Sequence, residues 1–262
     1  MLKNGTDYSM DKDVCPICQN SGWEPYEKNG HTYCRDCKCG IRQKQIIKNK
    51  LSFANIPESF KNIRLSQFDI NVYDSRESQN RAANAFKATK YWLNNFDQMN
   101  ERGMGLYLHS QIKGSGKTRM AASIASELIY VKHIQVKFTT SLQILNEIKK
   151  SWDKKDSEYT ESRLLDFLST TKVLIIDDFG IEQEGKEKAW INDRFYHIIN
   201  SRYIDKKITI FTSNMSLNNL QYDDRITNRI KERTFQIPFP EESVRDVIAM
   251  NNMQEIISAI KG

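Results

Sequence analysis

The sequence predicts an α/β fold: a parallel sheet covered by helices on both faces, preceded by a small cysteine module. Three observations carry that expectation. From Ser75 onward apolar, strand-like runs alternate with helical stretches; one glycine-rich turn joins a strand to a helix; and all five cysteines lie between Cys15 and Cys39. Strands separated by helices need crossover connections, and these give parallel sheets buried on both sides.

Taken in order, residues 1–13 are polar without periodicity and are expected to form a disordered tail. Residues 14–54 hold the cysteines and then a basic helix with Ile41, Ile46, Ile47, Leu51 and Phe53 as its apolar positions. Pro57 disfavours helix at Ile56 and ends it. Residues 55–74 read as an extended linker, and 75–262 as the main domain. There the pattern predicts a helix over 75–99, a strand over 104–109 and a helix over 118–132. A strand over 134–140, helices over 142–152 and 158–168 and an apolar strand over 172–177 follow. A long helix over 187–203 and a strand over 207–213 complete the alternation.

Composition is that of an ordinary globular chain, with 39% hydrophobic and 27% charged residues. No apolar run approaches the roughly 20 residues of a membrane-spanning helix, and the start, MLKNGTDYSMDKD, lacks the apolar stretch of a secretory signal. The expectation is a cytoplasmic protein with no membrane partner. The formal charge of +6 suits phosphate-rich partners and an inert basic surface equally.

The segment Gly114-Ser115-Gly116-Lys117-Thr118 carries the most specific chemistry. Glycines let the backbone curl so that several N–H groups converge on a phosphate, and the following helix adds its positive end. Lys117 supplies a point charge and Thr118 a hydroxyl for Mg²⁺. The eight-residue P-loop pattern begins with glycine, whereas the corresponding residue here is Gln111. Downstream, the apolar run Val173-Leu174-Ile175-Ile176 ends in Asp177-Asp178, two carboxylates at the carboxyl end of a buried strand, where α/β sheets bind ligands. Strand alternation points the two to opposite sides, one for hydrated Mg²⁺ and one for the attacking water. Together these motifs predict an ATP/ADP site.

The cysteines form two C-x₂-C pairs, Cys15 with Cys18 and Cys34 with Cys37, with Cys39 two residues beyond. Clustered cysteines without a signal peptide argue for Zn²⁺ over disulfides, and each close pair supplies two thiolates to a tetrahedral ion. The spacing leaves open which four bind; His31 is a weaker candidate in a loop.

On these motifs the chain resembles an AAA+ ATPase, and specifically the DnaC/DnaI group of bacterial and phage helicase loaders, from about Cys15 to Arg245. The markers are the basic phosphate turn, IIDDFG ending in Gly180, the run Asn200 to Tyr203, and Thr212-Ser213-Asn214. The resemblance implies Asp178 as the catalytic carboxylate, Asn214 as sensor 1, Arg245 as sensor 2 and Arg229 as an arginine finger reaching a neighbouring subunit's ATP, with Arg225 beside it. It implies Cys37 with Cys39 as the second zinc pair and Cys34 as the alternative. It also implies slow, partner-stimulated ATP hydrolysis, self-association through the ATP site, and a replicative helicase hexamer of the DnaB/DnaC type gripped by residues 14–54. Single-stranded DNA would meet a stretch holding Lys149, Lys150, Trp152 and Tyr159. Two other readings stand beside it: an IstB-type transposition helper, and a zinc-dependent nucleic-acid-binding module with an inactive ATPase. A DnaA-type initiator is disfavoured, since little chain after Arg245 remains for a duplex-reading domain.

Overall fold

The computed structural model describes residues 14–152, 160–181 and 188–261; the expected tail over 1–13 and Tyr159 lie outside the described residues. The chain divides into two compact units between Lys50 and Leu51.

The first unit is a hairpin of β1 (Trp23–Lys28) and β2 (His31–Asp36), paired antiparallel with Tyr26 opposite Tyr33. Asn29-Gly30 turns it, with φ of 53° and 75°, the two positive angles that a two-residue turn between twisted strands requires. The sequence reading missed this hairpin, and His31, expected in a loop, begins β2. Helix α1 (Ile41–Ala54) follows and runs across the boundary between the units.

In the second unit, residues 56–73 are not a free extended linker. They form three short 3₁₀ turns, at Glu58–Phe60, Leu65–Gln67 and Ile70–Val72, and Ile56, Leu65 and Tyr73 are buried. The expected helix over 75–99 is two, α2 (Arg76–Asn94) and α3 (Phe96–Arg102). Ser75 caps α2 by accepting from Ser78 N at 3.1 Å, and Gly103, at φ 64°, ends α3 in the left-handed turn that glycine tolerates.

Then come β3 (Gly105–His109), α4 (Lys117–Tyr130), β4 (Val136–Thr140), α5 (Ser141–Trp152), α6 (Glu161–Thr170), β5 (Val173–Asp177), α7 (Lys188–Ile204) and β6 (Ile208–Ser213). Three elements lay beyond the predicted alternation: α8 (Asp224–Arg233), β7 (Thr234–Pro238) and α9 (Val244–Lys261). The five strands pair in parallel in the order β4-β5-β6-β3-β7.

Side-chain alternation divides the core between the two faces of this sheet. Leu174, Ile176 and Phe211 point to a cluster with Leu164 and Leu168 of α6, Phe195 and Ile198 of α7, and Ile226 of α8. On α4, which packs against β4, β5 and β6, Met120, Ala121, Ile124, Ala125 and Leu128 are fully buried. Each large aliphatic side chain so buried contributes about 1.5–3 kcal/mol. Because β3, β5 and β6 are adjacent and parallel, their carboxyl ends open on one edge of the sheet, and the loops leaving them share one crevice. No described helix is long and apolar enough to cross a membrane.

Candidate nucleotide and zinc sites

The loops leaving β3, β5 and β6 meet at a pocket of about 510 Å³ lined by Gly114, Lys117, Thr118, Asp178, Asn214 and Arg245, with Phe68, Tyr73 and Ile248 among its other walls. Its size suits a small-molecule site.

Gly114 and Gly116 take φ of 82° and 94°, in the left-handed region. A Cβ on Gly116 would lie 2.8 Å from the Tyr73 hydroxyl, which donates to Ser115 O at 2.9 Å. Gln111 takes no such angle, and its N–H donates to the Glu241 carboxylate at 2.9 Å. Lys117 is buried and donates to Ile112 O at 2.9 Å and Ser115 Oγ at 3.2 Å. Burial pulls its pKa down, opposed by Asp178, Glu241 and Asp177.

Thr118 Oγ1 donates to the Asp177 carboxylate at 3.0 and 3.2 Å. Thr212, of the Thr212-Ser213-Asn214 marker, donates to the same carboxylate and accepts from Asp178 N at 3.0 Å. Burial pushes Asp177 up to about 6, against the hydrogen bond from Thr212. A buried carboxylate beside a threonine hydroxyl at a helix start is a donor set that fits Mg²⁺. Asp178 has left β5, takes a left-handed φ of 53° and lines the pocket, whereas Asp177 is buried at the strand end against Thr118 and Thr212.

Arg229 is not brought to the pocket. It donates to Asn200 Oδ1 at 2.9 Å and to Arg225 O at 2.7 Å, and its guanidinium lies over the rings of Tyr196 and Tyr203. Arg225 also faces Tyr196, and Arg233 faces Tyr203. The three arginines thus form one ladder on α8, set against tyrosines of α7. Lys149 lies over the Trp190 ring, which meets the half-exposed Trp152 edge-on at 5.4 Å.

In the first unit the sulfurs of Cys15, Cys18, Cys37 and Cys39 all lie within 4.8 Å of one another. Cys15 and Cys37 are 3.8 Å apart, Cys18 and Cys39 3.5 Å. A tetrahedron of zinc–sulfur bonds has edges of about 3.8 Å, so the donor set fits Zn²⁺. Backbone N–H groups of Cys18 and Ile17 hold the Cys15 thiol down at about 7, toward the thiolate a metal needs. Cys34 stands exposed on β2, outside the cluster, and His31 is exposed as well.

Tyr73 and Glu241 touch the site with no motif to announce them, and Thr212, though part of the Thr212-Ser213-Asn214 marker, had no role assigned. Each acts on a residue 34 or more positions away, and no local spacing announces such a contact.

Comparison with known proteins agrees with this architecture. Residues 78–235, more than half of the chain, match the family described as the bacterial DnaA ATPase domain. The phage-like element PBSX protein XkdC of Bacillus subtilis (strain 168) is 24% identical over 223 residues, 83% of this chain and 78% of that protein. The replicative helicase loader DnaC of Escherichia coli (strain K12) is 28% identical over 151 residues, 56% of this chain and 57% of that protein. The crystal structure of DnaI superposes with a TM-score of 0.55 at 24% identity, covering 75% of this chain and 99% of that one. At that identity the likeness speaks for the fold.

Proposed function

Because this chain belongs to the family of bacterial DnaA ATPase domains, we propose that it is an ATP-switched loader, binding a replicative helicase and helping to set it on single-stranded DNA. The observation that carries this reading is the convergence of Lys117, Thr118, Asp178, Asn214 and Arg245 on one pocket. Similarity to proteins named replicative helicase loader supports the biological half.

In this reading the N–H groups of the 114–118 turn, Lys117 and the start of α4 take the phosphates. Thr118 and Asp177 would hold Mg²⁺, which when bound neutralises phosphate charge. Asp178 orients and deprotonates the attacking water, Asn214 holds the γ-phosphate or that water, and Arg245 contacts the phosphates from the same chain. Arg229 lies outside its own pocket and acts on a neighbour's, so hydrolysis needs a second copy. Zinc on Cys15, Cys18, Cys37 and Cys39 shapes the module that grips the helicase. Lys149, Lys150 and Trp152 offer the cation and stacking ring that single-stranded DNA takes.

Co-purification of the full chain with a replicative helicase tests the reading. Recovery should require ATP and be lost in Lys117→Ala. ATP turnover should fall about 10³-fold or more in Arg229→Ala. Equal, negligible turnover in the parent and both variants would instead favour a nucleic-acid-binding module with an inactive ATPase, and capture of a transposase would favour an IstB-type helper.

A further inference from the structure

We infer that the run Pro240–Arg245 is a strap across the phosphate loop, in which Glu241 is the positioning residue that stands in for the glycine missing at position 111. The inference rests on reading the pocket as a nucleotide site.

The strap grips the loop at both ends. At the entry, the Glu241 carboxylate accepts from Gln111 N at 2.9 Å, from Ile112 N at 3.2 Å and from Ser110 Oγ at 3.2 Å. Ser110 Oγ also reaches Pro240 O at 2.9 Å. At the curl, Val244 N donates to Gly114 O at 3.1 Å. One residue after Glu241, the Glu242 carboxylate turns the other way. It accepts from Asp74 N at 2.5 Å, Ser75 N at 3.3 Å and Ser75 Oγ at 3.1 Å. That fastens the backbone beside Tyr73, whose hydroxyl holds Ser115 O. The next residues begin α9, and Arg245 lines the pocket.

A P-loop works because its N–H groups already converge before the phosphate arrives. Where the first residue of the pattern is glycine, the backbone there is free to adopt whatever entry the curl needs. Here the entry carries a side chain at an ordinary φ, and two consecutive N–H groups are held by one charged acceptor. Hydrogen bonds to a carboxylate are about twice as strong as neutral ones. Glu241 therefore fixes the direction from which the chain enters the curl, without touching the phosphates. The same six residues carry Arg245, so the loop's shape and the reach of that arginine are set by one stretch of backbone.

The test is titration of the full-length protein with a fluorescent N-methylanthraniloyl-ADP in the presence of Mg²⁺, with circular dichroism as the fold control. Glu241→Ala should weaken binding about tenfold or more, and Glu241→Gln, which keeps an acceptor oxygen in place, should stay within about threefold of the parent. Glu77→Ala removes the same charge from the exposed first turn of α2 and should bind as the parent does. An alanine variant within about twofold of the parent, or a glutamine variant as weak as the alanine one, overturns the inference. If Glu241→Ala does not fold, Glu241→Asp, which withdraws the carboxylate by one methylene, takes its place. A loss of about threefold or more supports the strap, and parent-like affinity overturns it. Failure of the underlying site looks different: the parent itself would bind no better than Lys117→Ala.

Discussion

Among the described residues 14–50, the only buried apolar side chains are Cys18 and Cys37, whereas β5 and β6 of the second unit are buried along their whole length. The first unit has a hairpin, a turn and four converging sulfurs, but almost nothing to withdraw from water. The second has a sheet with helices packed on both faces. A unit of some 40 residues gains little from burial to offset its chain entropy, and a metal on the four sulfurs would supply what the core does not. Each unit also holds an acidic group whose pKa is raised where a cation would sit. Despite a lowering N–H bond from Cys39, burial and neighbouring thiols push the Cys37 thiol up to about 12, and burial pushes Asp177 up to about 6.

The sharpest way to break this comparison is to remove the metal. Structural zinc contributes on the order of 10–16 kcal/mol in isolated fingers. Chelation, or Cys37→Ser, should therefore unfold residues 14–50, read as rapid proteolysis there, while the second unit keeps its thermal transition. Cys34→Ser, outside the cluster, should leave the zinc content intact. If both units melt together on chelation, they are not independently held.

A smaller effect, confined to the second unit, is expected at Arg202. The residue is 1% exposed, and its guanidinium donates to Leu168 O, Thr171 O and Ile208 O, and to Thr209 Oγ1. Burial pulls its pKa down to about 9, still charged at neutral pH. It ties the end of α6 to the start of β6, a structural task for the arginine of the Asn200–Tyr203 marker. Arg202→Leu orphans these acceptors and should cost about 3–5 kcal/mol in urea unfolding, without altering the zinc content.

The smallest effect concerns Asp177. Its folded pKa, about 6, exceeds the ordinary 3.8, so between those values the folded state binds more protons than the unfolded one. Stability of the metal-free, nucleotide-free protein therefore rises as pH falls from about 6 toward 4. Asp177→Asn should be more stable than the parent above pH 6 by about 2–3 kcal/mol. The gap should close near pH 4. A constant gap across that range would mean that the carboxylate is not held protonated by burial.

Much of the site was legible from local patterns. A glycine turn between strand and helix, paired carboxylates after an apolar run and close cysteine pairs are each encoded within a few residues, because they are shapes of the backbone itself. The α8–β7–α9 stretch was harder to read: β7 is five residues long and reads buried, exposed, exposed, buried, exposed, with no clean alternation to announce it. The linker failed for another reason. The apolar side chains of residues 56–73 follow neither a helical nor a strand period, and only the burial of Ile56, Leu65 and Tyr73 within the second unit distinguishes the segment from loose chain.

What the residues determined by themselves is therefore the alternation of strands and helices, the curl at 114–118, the acidic strand end and the sulfur pairs. Spacing left the fourth sulfur open, and the tertiary structure put Cys39, the residue the family resemblance implied, in the cluster with Cys34 outside it, and set Asp178 at the pocket in a left-handed turn. It also decided that Asn214 and Arg245 face the pocket while Arg229 stands away from it, and that a glutamate 130 positions later holds the loop where a glycine was expected. The division has a physical cause. Spacing within a few residues fixes local geometry, but which loops become neighbours depends on the order in which buried strands pair, and that order is set by burial summed over the whole sheet.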